Sequence, residues 1–450
     1  MARERQHMTF SLALSGDAII NRRISTCQDP GFRKLVDIFR SSDVSITHLE
    51  TLIHDFDGPE TYPAAEAGGT WMRSPAYVAD ELSWAGFDLV SHASNHALDY
   101  GYGALRSTWE ALDRAQIGYA GTGDTLADAR SPAYLDTAYG RVAMISMTSS
   151  FPPWARAGER RPDMGGRPGL NPLRWYHEVD RDTFSTITDL ATQMGQWVIE
   201  LDDDYWGIHP PGLHNTLTRY RIGDVDRPVR VLDERDRTGN LSAIREASAQ
   251  ADLVIAHIHS HEWDPDGDLA DSPAFLETFA RDAIDHGADL VLNQGTHAPL
   301  RGVEVYNGCP IWYDPGDLMM MNRSGISLPM DFYRRFEPSL AGDPWEETPS
   351  SAQAARPPAY NTAENPAGGY QSVPVEGLVV PVCEFDEDLV FEKATLYPAT
   401  LLDTPNGYSG IPSLVEGEKA QEILSFVQER SRRYETAVEI ASGHGTLRAH

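Results

Sequence analysis

The stretch ADLVIAHIHSHEW, residues 251–263, runs an apolar segment into three histidines at every second position. An extended strand sends alternate side chains to one face, so His257, His259 and His261 would point the same way. Three imidazoles on one face are costly as core and useful as metal ligands. If the strand ends at His259, that shared face no longer extends to His261 and Glu262.

Outward from this stretch, short apolar runs alternate with helical patterns. FSLALSGD, VSITHLE, FDLVSHASNH and RVAMISMT read as strands, with helices in GFRKLVDIFRSS, PAYVADELSWAG and GALRSTWEALDRAQ. Such alternation predicts an α/β fold, a layered, mostly parallel sheet flanked by helices. Three strands end in polar clusters: Gly16-Asp17, His48-Leu49-Glu50 and Ser94-Asn95-His96. In open α/β sheets, sites lie beyond the carboxyl ends of the strands. The pattern resumes after residue 250, and VEVYNGCPIWYDPGD reads as a hairpin turning at Asn307-Gly308.

The expected organisation is a catalytic domain over 1–330 with an insertion at about 151–245. A Pro/Ala/Glu-rich excursion over 331–376 follows. Residues 377–450 supply further strands that pack on the core, plus a closing helix. Within the insertion, DTFSTITDLATQMGQWVIEL reads as one helix.

Composition narrows the partners. A net charge of -30 opposes a nucleic-acid partner and anionic lipid alike, and self-association is left open. Cys27, Cys309 and Cys383 are far apart and form no CxxC pair, so each is expected to be a buried thiol. MTFSLALSGDAII has too short an apolar core for a leader and is interrupted by Asp17; it reads as a buried strand. No apolar run is long enough to span a membrane, so neither a membrane partner nor a membrane span is expected. The cytoplasm is the expected location.

Taken singly, a histidine is a core or surface residue, a Gly-Asp pair is a turn, and Asn95 is a helix cap. Their coincidence at strand ends points elsewhere. Asp17, Glu50, Asn95, His96, His257, His259, His261 and His297 combine carboxylate, amide and imidazole donors, a set suited to Zn²⁺, Mn²⁺ or Fe²⁺. One or two divalent ions are expected, with a carboxylate bridging if there are two.

The motifs GDAIINR, THLE, SNHALDYG, HSHE and GTHAPLRGVEVYNGCPIWYDPGD occur in the order and approximate spacing of the CapA family. That family is named for poly-γ-glutamate capsule biosynthesis and is similar in fold to calcineurin-like metallophosphoesterases. The resemblance covers about residues 9–320. It implies that Asp17 binds one metal, Glu50 bridges, and Asn95 and His259 or His261 hold the second, while His297 closes the other site. It also implies that His96 faces the substrate as acid or transition-state stabiliser. Asp99, three residues on, would orient His96.

Three positions depart from the family pattern. His48 stands where the family has Asn, and is open as a ligand or hydrogen-bond partner. Gln294 stands where the family often has His. Asp317 stands in place of the Asn of a Gly-Asn pair, so its carboxylate is a further candidate ligand. His257 is expected to be structural or to support a ligand. Glu262 is a candidate base or imidazole support.

The implied activity is metal-dependent hydrolysis of an amide or peptide-like bond, such as a γ-glutamyl amide, in a small or oligomeric anionic substrate. A phosphoesterase is the alternative on the same scaffold, and a non-catalytic polymer-binding or capsule-assembly accessory is the third reading. Arg156, Arg160, Arg161, Arg167 and Arg174 crowd one loop, and Arg301 follows His297. GRPGLNPLR resembles a family element, which favours Arg167 and Arg174 as anion contacts, with Arg301 a further candidate; a guanidinium fork matches carboxylate and phosphate.

Overall fold

The computed structural model describes residues 9–449, apart from 203, 214–217, 265–266, 298–299, 323–324, 357–374 and 405–406. Its centre is a pair of stacked sheets. One is ten-stranded and contains β1 (Phe10–Ile19), β2 (Val44–Leu49), β3 (Leu89–Ser91) and β4 (Gly118–Ala120), all parallel. The other is six-stranded and contains β5 (Ala133–Asp136), β6 (Arg141–Thr148), β7 (Leu253–His259), β8 (Leu290–Gln294), β9 (Val303–Tyr306) and β10 (Cys309–Trp312).

Alternation along the strands shows how the layers pack. Leu12 and Leu14 of β1 meet Leu253 and Ile255 of β7 in a core between the sheets. The intervening Ala13 faces helices Pro30–Ser41 and Val78–Ala85. On the other side, Val254, Ala256 and Ile258 face helices Glu234–Ser248 and Ala274–Asp285. The result is helix, sheet, sheet, helix. The α/β reading of a layered sheet core flanked by helices holds, and the layers are two: each central sheet has helices on one face and the second sheet on the other. A buried apolar strand looks the same in sequence whichever element covers it.

Other expectations differ in detail. The predicted helix after residue 181 ends at Gln193. Gly195, at φ +74°, turns the chain into strand Trp197–Asp202 of a separate five-stranded sheet. The region read as a loose excursion is partly packed: helices Met330–Arg335 and Pro349–Ala354 bury Phe332 and Ala352 beside Trp71 and Tyr100. Residues 357–374 of that excursion lie outside the described residues. Helix Gly417–Ser431 does not close the chain, since a hairpin of Glu439–Ala441 and His444–Arg448 follows. The Asn307-Gly308 turn forms as read, with both residues at positive φ, 51° and 82°.

β11 (Leu378–Phe385) and β12 (Phe391–Leu401) complete the ten-stranded sheet, β11 lying antiparallel to β1. Among the described residues, no helix is long and apolar enough to cross a membrane.

Candidate metal centre

The alternation that builds the inter-sheet core also delivers the site. His257 and His259 continue the face of Leu253 and Ile255, so they point between the sheets. On β2, His48 follows Ile46 onto that face. β1 needs a correction of phase, because strict alternation from Leu14 would turn Asp17 towards the helices. A bulge supplies it: Leu14 pairs with Ile46, but Asp17 rather than Gly16 pairs with His48. The extra residue brings Asp17 round to the histidines. Gly16 is required there, since a Cβ would sit 2.1 Å from the Gly316 carbonyl oxygen.

The converging groups form two lobes around Glu50. In one, His297 Nδ1 lies 2.8 Å from Asp317 and 3.5 Å from Asp17, while its Nε2 lies 3.3 Å from Glu50. In the other, His259 Nε2 lies 3.0 Å from Asn95 Oδ1, 3.2 Å from His261 Nε2 and 3.6 Å from Glu50. The strand ends at His259, so His261 does not share the strand face; the loop beyond it returns the ring, its backbone N–H held by Ser150 Oγ at 2.7 Å. His297 sits at φ +49°, a left-handed conformation that costs about 1 kcal/mol or more for such a residue. Thr296 holds the turn by donating to Asp314.

Asp17 and Glu50 are fully buried; their carboxylate oxygens are met only by surrounding imidazoles, the nearest being His297 Nε2 at 3.3 Å from Glu50, and none takes a well-formed hydrogen bond from a described group. His48 Nε2, 3.8 Å from Asp17, is also unbonded. Buried carboxylates without well-formed hydrogen bonds are costly unless a cation neutralises them. The donor set therefore fits divalent metal. Burial and the neighbouring Glu50 carboxylate push Asp17 well above the usual carboxylate range. Burial would also raise Glu50, but the His297 and His261 imidazoles override it and hold Glu50 well below that range.

Around this core, His48 stacks on His259 at 4.5 Å and on His257 at 5.1 Å between ring centroids. Ser91 links the sheets, lying 2.6 Å from His48 Nδ1 and 3.1 Å from His257 Nε2. Burial pushes His257 down to about 3, so it stays neutral and supports the ligand rings. Gln294 sits 3.2 Å from His259 Nδ1, where it holds the ring. His96 faces the open side with Nδ1 2.6 Å from Asp99 and Nε2 3.8 Å from Glu50. Burial disfavours its charge, yet Asp99 outweighs that and raises its pKa above that of a free imidazole. Asp99 is in turn fixed by the Met72 backbone N–H.

Other predicted residues are not brought to the cluster. Glu262 accepts from Ser149 and Ser260 at 2.6 Å and from the Trp175 indole at 3.0 Å, so it braces the strand ends. Arg174 is held by Asp236 through two contacts of 2.6 and 2.9 Å. Arg167 is exposed and donates to the Arg156 carbonyl. Arg301 is buried and donates to the Leu269 and Glu262 carbonyls. The sequence reading missed Arg356, which lines a cleft of about 420 Å³ with His96, His261, His297 and Asn322. Its position between Pro-rich segments gave no signal.

The sequence profile described as "Bacterial capsule synthesis protein PGA_cap" matches residues 11–322, which contain every metal-centre residue described above. The chain belongs to the PGA_cap family. Its metallophosphoesterase-like fold agrees with the stacked sheets and the site at their joint. A PGA_cap chain of this kind is also 31% identical to Sinorhizobium fredii "Uncharacterized protein y4sH", over 98% of this chain and 93% of the relative. It is 24% identical to the Bacillus anthracis "Capsule biosynthesis protein CapA", over 45% of this chain and 49% of that one. A Mycobacterium tuberculosis "Probable polyglutamine synthesis accessory protein" is 27% identical over 50% of this chain and 43% of its own length.

Proposed function

We propose that this PGA_cap member is a metal-dependent hydrolase of an amide or peptide-like bond, such as a γ-glutamyl amide, in an anionic compound. The observation that carries the reading is the pair of buried carboxylates, Asp17 and Glu50, lacking well-formed hydrogen bonds and ringed by imidazoles beneath an open cleft. One or two divalent ions (Zn²⁺, Mn²⁺ or Fe²⁺) would supply Lewis-acid polarisation and a water-derived nucleophile at neutral pH. Asp17, His297 and Asp317 would hold one, and Asn95, His259 and His261 the other, with Glu50 offering an oxygen to each and His48 beside Asp17. Asp99 accepts the His96 Nδ1–H and favours the imidazolium, so the ring also carries a proton on Nε2, which faces the cleft for a departing amine. The polyglutamine named for one relative supports an amide-linked polymer over a phosphoester as substrate. Three free thiols fit a reducing compartment, the cytoplasm.

Elemental analysis with an activity panel tests this. One or two divalent ions per chain, lost in Asp17→Asn, with metal-restored cleavage of γ-glutamyl amides, is the expected result. Phosphate release from aryl phosphates without amide cleavage would favour the phosphoesterase. Metal retained without turnover on either panel would favour a polymer-binding accessory. A chain that neither carries nor takes up metal would sink the proposal.

A further inference from the structure

A second cleft, of about 370 Å³, adjoins the first and shares its Ser150 and Phe151 wall. That wall is fixed to the metal-centre strand: Ser149 N–H donates to the His259 carbonyl, and Ser149 Oγ to Glu262. The cleft is lined by Arg156, Arg174, Arg219, the rings of Trp175 and Tyr176, and Glu262, whose carboxylate is already occupied by Ser149, Ser260 and Trp175.

The arginines are not equivalent. Asp236 holds Arg174, and Asp233 holds Arg219 at 3.0 Å. Arg130 takes a further share of Asp236 at 3.1 Å. The Arg156 carbonyl accepts from Arg167, but its guanidinium has no hydrogen-bond or ion-pair partner among the described residues, although the residue is partly buried. Burial and the charges of Arg174, Arg219 and Arg167 lower its pKa, outweighing the opposing pull of Asp236, which is itself engaged by Arg174 and Arg130. It still carries its charge at neutral pH. In a chain of net charge -30, an unpaired guanidinium crowded by other guanidinia is an unmet demand for an anion.

We infer that this second cleft is a subsite for a carboxylate carried by the substrate beyond the bond at the metal centre, with Arg156 as its principal contact and Arg219 beside it. The substrate is therefore elongated and carries acidic groups at intervals, one end at the cluster and another against Arg156. Binding of that remote group supplies orientation at the reacting bond. This deepens the hydrolase reading and rests on it for the bond that is cut, whereas the binding event needs no turnover.

The test is calorimetric titration of the full chain, in a His297→Ala background to suppress turnover, with γ-linked triglutamate, its fully amidated counterpart and inorganic phosphate. Arg156→Gln and Arg219→Gln are then added singly. Arg156→Gln orphans no partner, so it should fold; circular dichroism checks this. The expected result is triglutamate binding that weakens roughly ten- to hundred-fold in Arg156→Gln, with Arg219→Gln weakening it less. The amidated peptide should bind weakly and be indifferent to Arg156. Equal binding of triglutamate by parent and Arg156→Gln overturns the subsite, as does no binding by the parent. Phosphate bound more tightly than triglutamate, in an Arg156-dependent way, overturns the carboxylate assignment. Arg156-dependent binding without hydrolysis by the wild-type chain sinks the hydrolase reading and leaves the subsite standing.

Discussion

At Gly16 one missing methyl group decides where a ligand stands. An alanine there would drive its Cβ into the Gly316 carbonyl, and neither backbone can yield without moving Asp17 or Asp317. Gly16→Ala should cost about 1–3 kcal/mol and lower metal content together with the melting temperature; an unchanged melting curve would show that the two turns are not in contact. Asp289 offers a test remote from the site. Burial lifts it from 3.8 to about 6, although the Val254 N–H opposes the shift. Between those values the native state keeps a proton that the unfolded chain has lost. Its contribution to stability therefore falls as pH rises through that window, by at most about 3 kcal/mol, and is constant above it. Asp289→Asn should gain stability relative to wild type from pH 4 to pH 7 in urea titrations, whereas parallel curves would contradict the raised pKa. Single residues also show what was legible in the sequence. Asp17, Glu50, Asn95 and His259 could be read because strand ends collect polar side chains. Arg174 could not, because its partner Asp236 is remote in sequence and only folding brings it near.

At the scale of elements, the strand ends are braced by Glu262, which gathers Ser149 just beyond β6, Ser260 just beyond β7 and Trp175 from the insertion. This separates a support from a catalyst. Glu262→Gln should destabilise the fold by about 1–3 kcal/mol while keeping turnover within about tenfold of wild type. Loss of a general base costs 10²–10⁴-fold, so a drop of that size with an unchanged melting temperature would restore Glu262 to the chemistry. The bulge in β1 and the loop that returns His261 were invisible to period counting, which assumes a regular strand and fixes no phase after an irregularity. The stacked sheets were equally hidden, because LVIAHI is buried on both faces under either arrangement. Helix Met330–Arg335 was missed for a simpler reason: Phe332 and Tyr333 are too few apolar residues to show a period.

For the whole molecule, the centre lies at the joint of two sheets, so an ion held there by Asp17 and Glu50 from one and His297 from the other would be a cross-link. Saturating metal should raise the melting temperature and a chelator should lower it. Occupancy at a hundred times the dissociation constant is worth about 2.7 kcal/mol. A melting temperature indifferent to both would argue against a shared ion. The ten-stranded sheet has one more consequence. Leu12 pairs with Cys383, so the strand that carries Asp17 obtains a neighbour synthesised only after every other metal-centre residue. On the ribosome the first ligand must wait for β11 to emerge, and the nascent chain has no finished cage in which to trap an ion before then.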